Sequence, residues 1–319
     1  MGILGRIARR AKGPAQPRPP VPFVVGVGRS GTTLLRLMLD SHPDLAVPPE
    51  TAFVPNLIKA ARKDDATPES LAEVLVTHRR WPDFGLEISE LIERWRALPA
   101  LKPRPVVRSF YELYAEKQEK PRWGDKTPGY SQHIKRISRV IPEARFIHLI
   151  RDGRDVALSR SKTLALKPTP IARSAHRWQH YLRKAQRQGA KVEHYLELRY
   201  EALVTDPEGT LRQICEFIDL PWDPVMLDYH ERSADRLAEL DRDIPAMGGR
   251  LPRSAESRMA LHERTTKPVD TTAIGKWRDG MSEADLIEFE TTAGDLLIEL
   301  GYEPATPVAH EAAAAKSEE

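Results

Sequence analysis

Along this chain, short apolar runs alternate with stretches in which apolar residues recur every three or four positions. The first run, Phe23-Val24-Val25-Gly26-Val27, is rich in β-branched residues and predicts a buried strand over 23–27. Leu34, Leu35, Met38 and Leu39 then recur at helical spacing, which predicts a helix over 32–41, ended by Ser41-His42-Pro43. The same order of strand then helix returns at 145–150 with 154–163, and at 195–200 with 207–218. Repeated strand–helix units predict an α/β fold of three layers, a mainly parallel central sheet with helices on both faces. Asp65–Thr77 and Leu86–Ala97 read as amphipathic helices inserted between the first unit and the second, near the carboxyl edge where open α/β sheets bind ligands. Thr169–Gln188 predicts a longer helix, with Trp178 on its apolar side and Arg173, Arg177, Arg183, Lys184 and Arg187 on its solvated face. Asp241–Asp270 is charged and weakly periodic, which predicts a long loop over the site. Asp285–Leu300 predicts a closing helix with Gly301 as its C-cap.

Composition narrows the class. The 319 residues are 40% hydrophobic, enough for one large core. Lys and Arg exceed Asp and Glu by 49 to 46, a net +3 that argues for no nucleic-acid partner. No apolar run reaches the length of a membrane span. A single cysteine, Cys215, excludes an internal disulfide framework and a Cys-based zinc site, and its apolar surroundings predict a buried thiol. The histidines show no metal-ligand spacing, so no metal is expected; His42 and His148 read as structural. Residues 1–21 form a basic, Pro-rich tail and 303–319 an Ala-, Pro- and Glu-rich tail expected to be disordered, leaving 22–302 as the domain. Met1–Lys12 reads as a frayed tail or as a short amphipathic helix for peripheral contact with an anionic membrane. It lacks the apolar core of a secretory signal, so a cytoplasmic location is expected.

Chemistry concentrates in Gly28-Arg29-Ser30-Gly31-Thr32-Thr33. Strand, Gly-rich loop and helix together make a phosphate cradle, because backbone amides and the helix N-terminus converge on an anion. Two templates fit in part. Gly26-x-Gly28-x-x-Gly31 matches a dinucleotide loop, with Glu50 near the place of a ribose-binding acid, although Pro48-Pro49 interrupts the strand that would deliver it. The same residues nearly fit a nucleoside-triphosphate loop, with Thr32 in place of its lysine, which argues against an ATPase or kinase.

Gly28 through Leu35 resembles the 5′-phosphosulfate loop of sulfotransferases that use 3′-phosphoadenosine 5′-phosphosulfate (PAPS). A second segment, Arg151-Asp152-Gly153-Arg154-Asp155 running on to Ser159 after the strand at 145–150, resembles the family's 3′-phosphate motif in residue types and spacing. The resemblance spans roughly 22–302 and implies a P-loop-like fold and transfer of a sulfonate from PAPS to a hydroxyl or amine, releasing adenosine 3′,5′-bisphosphate (PAP). By the same resemblance Arg29, Ser30, Gly31, Thr32 and Thr33 hold the 5′-phosphosulfate, while Arg151 and Ser159 hold the 3′-phosphate. His42-Pro43-Asp44 through Pro49-Glu50-Thr51 is similar to the carbohydrate and protein-tyrosine branch, which makes Glu50 the general base. Trp123-Gly124-Asp125-Lys126-Thr127-Pro128 resembles the segment whose lysine lies against the sulfonate, giving Lys126 an electrostatic role. Tyr200 matches a nucleotide-contacting tyrosine, and Lys276, Trp277 and Arg278 the late loop over the nucleotide, with Gly275 as its flexible point. The cytosolic small-molecule branch has Lys where this chain has Arg29, and His as its base, so the group that assists departure of the bisphosphate stays open, Arg29 among the candidates. The implied acceptor is a small molecule, a carbohydrate or a lipid; oligomeric state has no signature. Two alternatives stand beside this reading: an NAD(P)-dependent oxidoreductase using the Gly-rich loop, and a nucleotide-binding module without catalysis.

Overall fold

The computed structural model describes residues 18–162, 169–246 and 252–306. The basic tail before residue 18, the end of the helix expected to reach 163, and the tail from 307 lie outside the described residues. In chain order the elements are β1 (Val21–Gly26), α1 (Thr32–Ser41), β2 (Leu45–Ala46), α2 (Val54–Ala60), α3 (Pro68–Val76), α4 (Ile88–Arg96) and α5 (Pro103–Lys117). These lead to β3 (Arg122–Trp123), β4 (Asp125–Lys126), α6 (Ile134–Val140), β5 (Ala144–Ile150), α7 (Gly153–Ser161), α8 (Ile171–Gly189) and β6 (Tyr195–Arg199). The remainder is helical: α9 (Tyr200–Thr205), α10 (Pro207–Phe217), α11 (Tyr229–Ala238), α12 (Ala255–Ala260), α13 (Trp277–Gly280) and α14 (Glu283–Glu299).

The main sheet is parallel in the order β4-β1-β5-β6, which places β1 between β4 and β5. Every residue of β1 is buried, as a continuous apolar run in a sheet covered on both faces requires. Phe23, Val25 and Phe146 pack on one face with Leu57 of α2 and Phe110 and Tyr111 of α5. Val24, Ile147 and Leu149 pack on the other with Leu35 and Met38 of α1, Ile214 of α10 and Leu237 of α11. This is the expected three-layer arrangement, and the register sets Val24 of β1 beside Lys126 of β4.

Where structure and expectation differ, local causes are visible. Sequence periodicity does not anticipate α5, which opens on Pro103 and Pro105, residues that fit a helix's first turn. Tyr200 begins a helix instead of ending β6. Within the expected loop 241–270, Ser254 caps α12 by accepting from Ser257 N, and a 3-10 turn follows at Glu263–Thr266. The tail expected to be disordered from 303 is instead anchored through Thr306: buried Glu290 accepts from Ala305 N (3.0 Å), Thr306 N (2.8 Å) and Thr306 Oγ1 (2.7 Å). Gly301 takes the left-handed φ of 74° just beyond α14, as a C-terminal cap should. Cys215 is buried, which pushes its thiol up to about 11. His148 bonds Tyr195 Oη through Nδ1 (2.6 Å) and His42 meets Pro221 O (2.8 Å), both structural roles. No helix among the described residues is long and apolar enough to cross a membrane.

Candidate active site

The site begins where β1 runs out. Between Gly26 and α1 the backbone enters the left-handed region at Arg29 (φ 80°) and Gly31 (φ 86°), which turns the loop sharply onto the helix N-terminus. Gly31 has a second constraint, since a Cβ there would lie 2.4 Å from Cδ2 of Tyr200. Among the described residues no side chain caps α1 and its first-turn amides find no protein acceptor, so they face the loop with the favourable end of the helix dipole. Ser30 is buried and its Oγ has no hydrogen-bond partner among the described residues. A buried hydroxyl left open in a loop of this shape fits an anionic ligand.

The segment from Arg151 to Ser159 closes on this loop. Arg29 Nε donates to Ser159 Oγ (3.1 Å), and Arg151 Nη1 donates to Arg29 O (3.1 Å). Residues implied for two separate anion contacts are therefore hydrogen-bonded to each other, and Arg29 reaches toward Ser159 as well as belonging to the first loop. Arg151 also donates to Ala273 O (2.6 Å), lies 4.6 Å from the ring centroid of Tyr200, and keeps a buried Nε without a partner among the described residues. Trp178 is core, as expected, and its Nε1 fixes Arg151 O (3.1 Å). Burial and then the charge of Arg151 lower the pKa of Arg29, so these crowded guanidiniums favour an added anion.

The late loop is held by a residue that sequence reasoning missed. Buried Asp155 accepts from Gly275 N (2.8 Å) and Trp277 N (3.0 Å), strapping residues 275–277 to α7. Gly275 (φ 67°) provides the turn. Lys276 and Arg278 are exposed cations. Trp277 is different: its ring is buried, with the guanidinium groups of Arg154 and Arg278 at 3.7 and 4.5 Å from the centroid. That ring is engaged by protein cations, which corrects its expected use as a flat face for the nucleotide. Asp155 left a faint signal, since Arg-Asp-Gly-Arg-Asp reads equally well as a turn that pairs its own charges.

Glu50 and Lys126 meet on the other side of the loop. Lys126 Nζ donates to Glu50 Oε1 (2.9 Å) and to Thr33 Oγ1 (3.3 Å), joining the candidate base to the first turn of α1. Arg80, which sequence reasoning did not single out, donates from Nη1 to Glu50 Oε2 (2.9 Å). Burial raises the pKa of Glu50, but Lys126 and then Arg80 overcome it and hold the carboxyl well below its usual range. Burial is also the main reason that Lys126 loses its proton more readily than a free lysine. His262, a second unforeseen residue, lines the same cleft with Thr33, Glu50, Arg80 and Lys126.

Behind these side chains lies a buried polar knot. Thr51 Oγ1 donates to Asp125 Oδ2 (2.8 Å), Tyr111 Oη donates to the same oxygen (2.9 Å), and Thr51 N donates to Thr127 Oγ1 (3.1 Å). Thr51, Asp125 and Thr127 are each one residue from Glu50 or Lys126, so the knot fixes both backbones, with Tyr111 of α5 bracing it from behind. Burial raises the Asp125 pKa to about 6. That lies above the value of about 3.9 for an unfolded aspartate, so the folded chain keeps a proton that the unfolded chain has already lost. The stability this group contributes is full below the unfolded value and falls as pH rises toward about 6. The stability difference between wild type and Asp125→Asn, followed by urea midpoints, should shrink as pH rises across that window. A difference that grows with pH, or stays constant, would contradict this assignment.

Residues 20–224 match the model of the sulfotransferase family, more than half of the chain. A protein-tyrosine sulfotransferase of Drosophila melanogaster is 26% identical over 292 residues, covering 89% of this chain and 52% of the fly protein. Protein-tyrosine sulfotransferase A of Caenorhabditis elegans is 28% identical over 296 residues, covering 89% of this chain and 68% of the worm protein. The chain thus spans about half the length of the fly relative. Among solved structures, a sulfotransferase domain from the curacin biosynthetic pathway superposes with a TM-score of 0.61 at 19% identity, covering 90% of this chain and 99% of that domain. That likeness supports the fold.

Proposed function

The chain belongs to the sulfotransferase family, and from that premise we propose that it moves a sulfonate group from PAPS to an acceptor hydroxyl by in-line displacement. The observation that carries this reading is the position of Lys126, hydrogen-bonded at once to Thr33 of the phosphate loop and to Glu50. The acceptor oxygen bonds to sulfur while the bond from sulfur to the 5′-phosphate oxygen breaks. Lys126 opposes the charge gathering on that oxygen, Glu50 receives the acceptor's proton, and PAP leaves. Ser30 Oγ, the α1 amides, Thr32 and Thr33 form the 5′ side of the donor site; Arg151, Ser159 and Arg29 form the 3′ side, with Tyr200, Lys276 and Arg278 around the nucleotide. The unpartnered Ser30 Oγ and Arg151 Nε support this placement. Glu50 is engaged by two cations, an arrangement with no counterpart in a nicotinamide ribose site.

The proposed acceptors are small-molecule, carbohydrate or lipid hydroxyls, to which the names of the fly and worm relatives add the tyrosine phenol. Acceptor-dependent release of PAP from PAPS, screened over phenols, sugars, glycolipids and tyrosine peptides, tests the reading. Donor binding without release on the whole panel would favour a binding module. Arg151→Ala should weaken PAP binding by about 1.5–3 kcal/mol, the loss of a charge-assisted contact, or roughly 10- to 100-fold in Kd by calorimetry. Unchanged affinity would remove Arg151 from the donor site.

A further inference from the structure

His262 sits where α12 ends, in the turn through Leu261 that enters Glu263–Thr266. The turn is built against the reaction site. Arg29 Nη1 donates to Leu261 O (3.4 Å), and Thr265 closes the turn by donating to His262 O from its amide (2.8 Å) and its hydroxyl (2.7 Å). The imidazole is partly exposed in the cleft that Glu50, Lys126, Arg80 and Thr33 line. His42 engages both ring nitrogens and His148 its Nδ1, whereas neither ring nitrogen of His262 has a hydrogen-bond partner among the described residues. Burial, then Lys126, push its pKa down to about 3 against the opposing pull of Glu50, with Arg29 and Arg80 adding to the effect. Its ring is therefore neutral at working pH, and one nitrogen keeps a lone pair. Arg36, Arg253 and Arg258 are the other ionisable groups of that cleft.

Glu50 has the opposite character. Both of its oxygens are committed to cations, so it can receive a proton but holds it weakly. A turnover cycle needs that proton removed, and His262 is the open titratable group in the same cleft. We propose that His262 is a further catalytic residue, the relay that takes the acceptor's proton from Glu50 and releases it to solvent. The acceptor oxygen–sulfur bond forms as the sulfur–oxygen bond to the 5′-phosphate breaks, its electron pair leaving with PAP. The acceptor's O–H bond breaks toward a Glu50 oxygen, the proton moves to the free nitrogen of His262, and the imidazolium passes it to water. Both groups return to their starting forms. The phosphate and sulfonate charges of the donor, set beside Arg29 and Lys126, offset the cations that make both groups acidic.

This inference rests on the donor-site reading, and the test separates the two. PAP release from PAPS is measured with water and with phenol, which keeps its proton at working pH, as acceptor probes, and PAP affinity by calorimetry. His262→Ala should release PAP on the order of 10²-fold more slowly, with PAP affinity unchanged. Added imidazole should restore the rate in proportion to its concentration, a rescue that a purely structural role would not show. His262→Gln, which fills similar space without a titratable nitrogen, should stay slow. A wild-type rate in His262→Ala, or a slow rate that imidazole leaves unchanged while PAP still binds, would overturn the relay alone. Wild-type protein that does not bind PAP would overturn the donor-site reading beneath it.

Discussion

Glu50→Gln should bind PAP as the wild type does and turn over roughly 10²–10⁴-fold more slowly, the range that a positioned general base contributes. The two effects separate because of where Glu50 stands. Its oxygens meet Lys126 and Arg80, whereas Arg151, Arg29 and Ser159 are bonded to one another at the proposed 3′ side of the donor site. Glutamine keeps the length of the side chain and an oxygen for Lys126 but cannot accept a proton at working pH. PAP release under saturating PAPS measures the first effect and calorimetry the second. Full turnover in the variant would remove Glu50 from the mechanism, and lost PAP affinity would recast it as part of the donor site.

Lys126→Ala is expected to cost about 10²–10³-fold in turnover, as removal of one charge-stabilising donor does. Lys126 bridges Thr33 and Glu50, and in the proposed mechanism it serves the sulfonate end of the donor, which PAP lacks. The variant should therefore keep PAP affinity while losing its preference for PAPS over PAP, read by competition calorimetry. Arg80 still neutralises Glu50 in the variant, which limits the damage to the fold. Equal losses for PAP and PAPS would place Lys126 on the nucleotide instead.

Much of this architecture is legible in the sequence because its signals are local. The apolar run of β1, the glycines after it and the periodicity of α1 lie within a short stretch. The Arg151 to Ser159 spacing likewise lies within one strand–helix junction. What remained hidden depends on tertiary approach. Arg80 reaches Glu50 from thirty positions away, and nothing in its own neighbourhood distinguishes it from any surface arginine. His262 lies in a segment whose weak periodicity conceals α12. Asp155 looks like half of a local charge pair until the chain brings Gly275 and Trp277 to it. Trp277 misleads in the opposite sense: a tryptophan between two cationic residues suggests an open stacking face, yet Arg154 of α7 takes part in covering it. Pro304-Ala305-Thr306 reads as a loose tail because its anchor, Glu290, faces inward from a helix whose other charges face water.

The central claim is that the loop after β1 and the start of α7 together form a site for a 3′-phosphorylated nucleotide. Calorimetric titration with PAP, alongside AMP, magnesium-ATP and NADH, tests it most directly. The account predicts tight binding of PAP without magnesium and much weaker binding of AMP, which lacks the 3′-phosphate that Arg151 and Ser159 would hold. Preference for NADH or magnesium-ATP, or equal affinity for AMP and PAP, would contradict it.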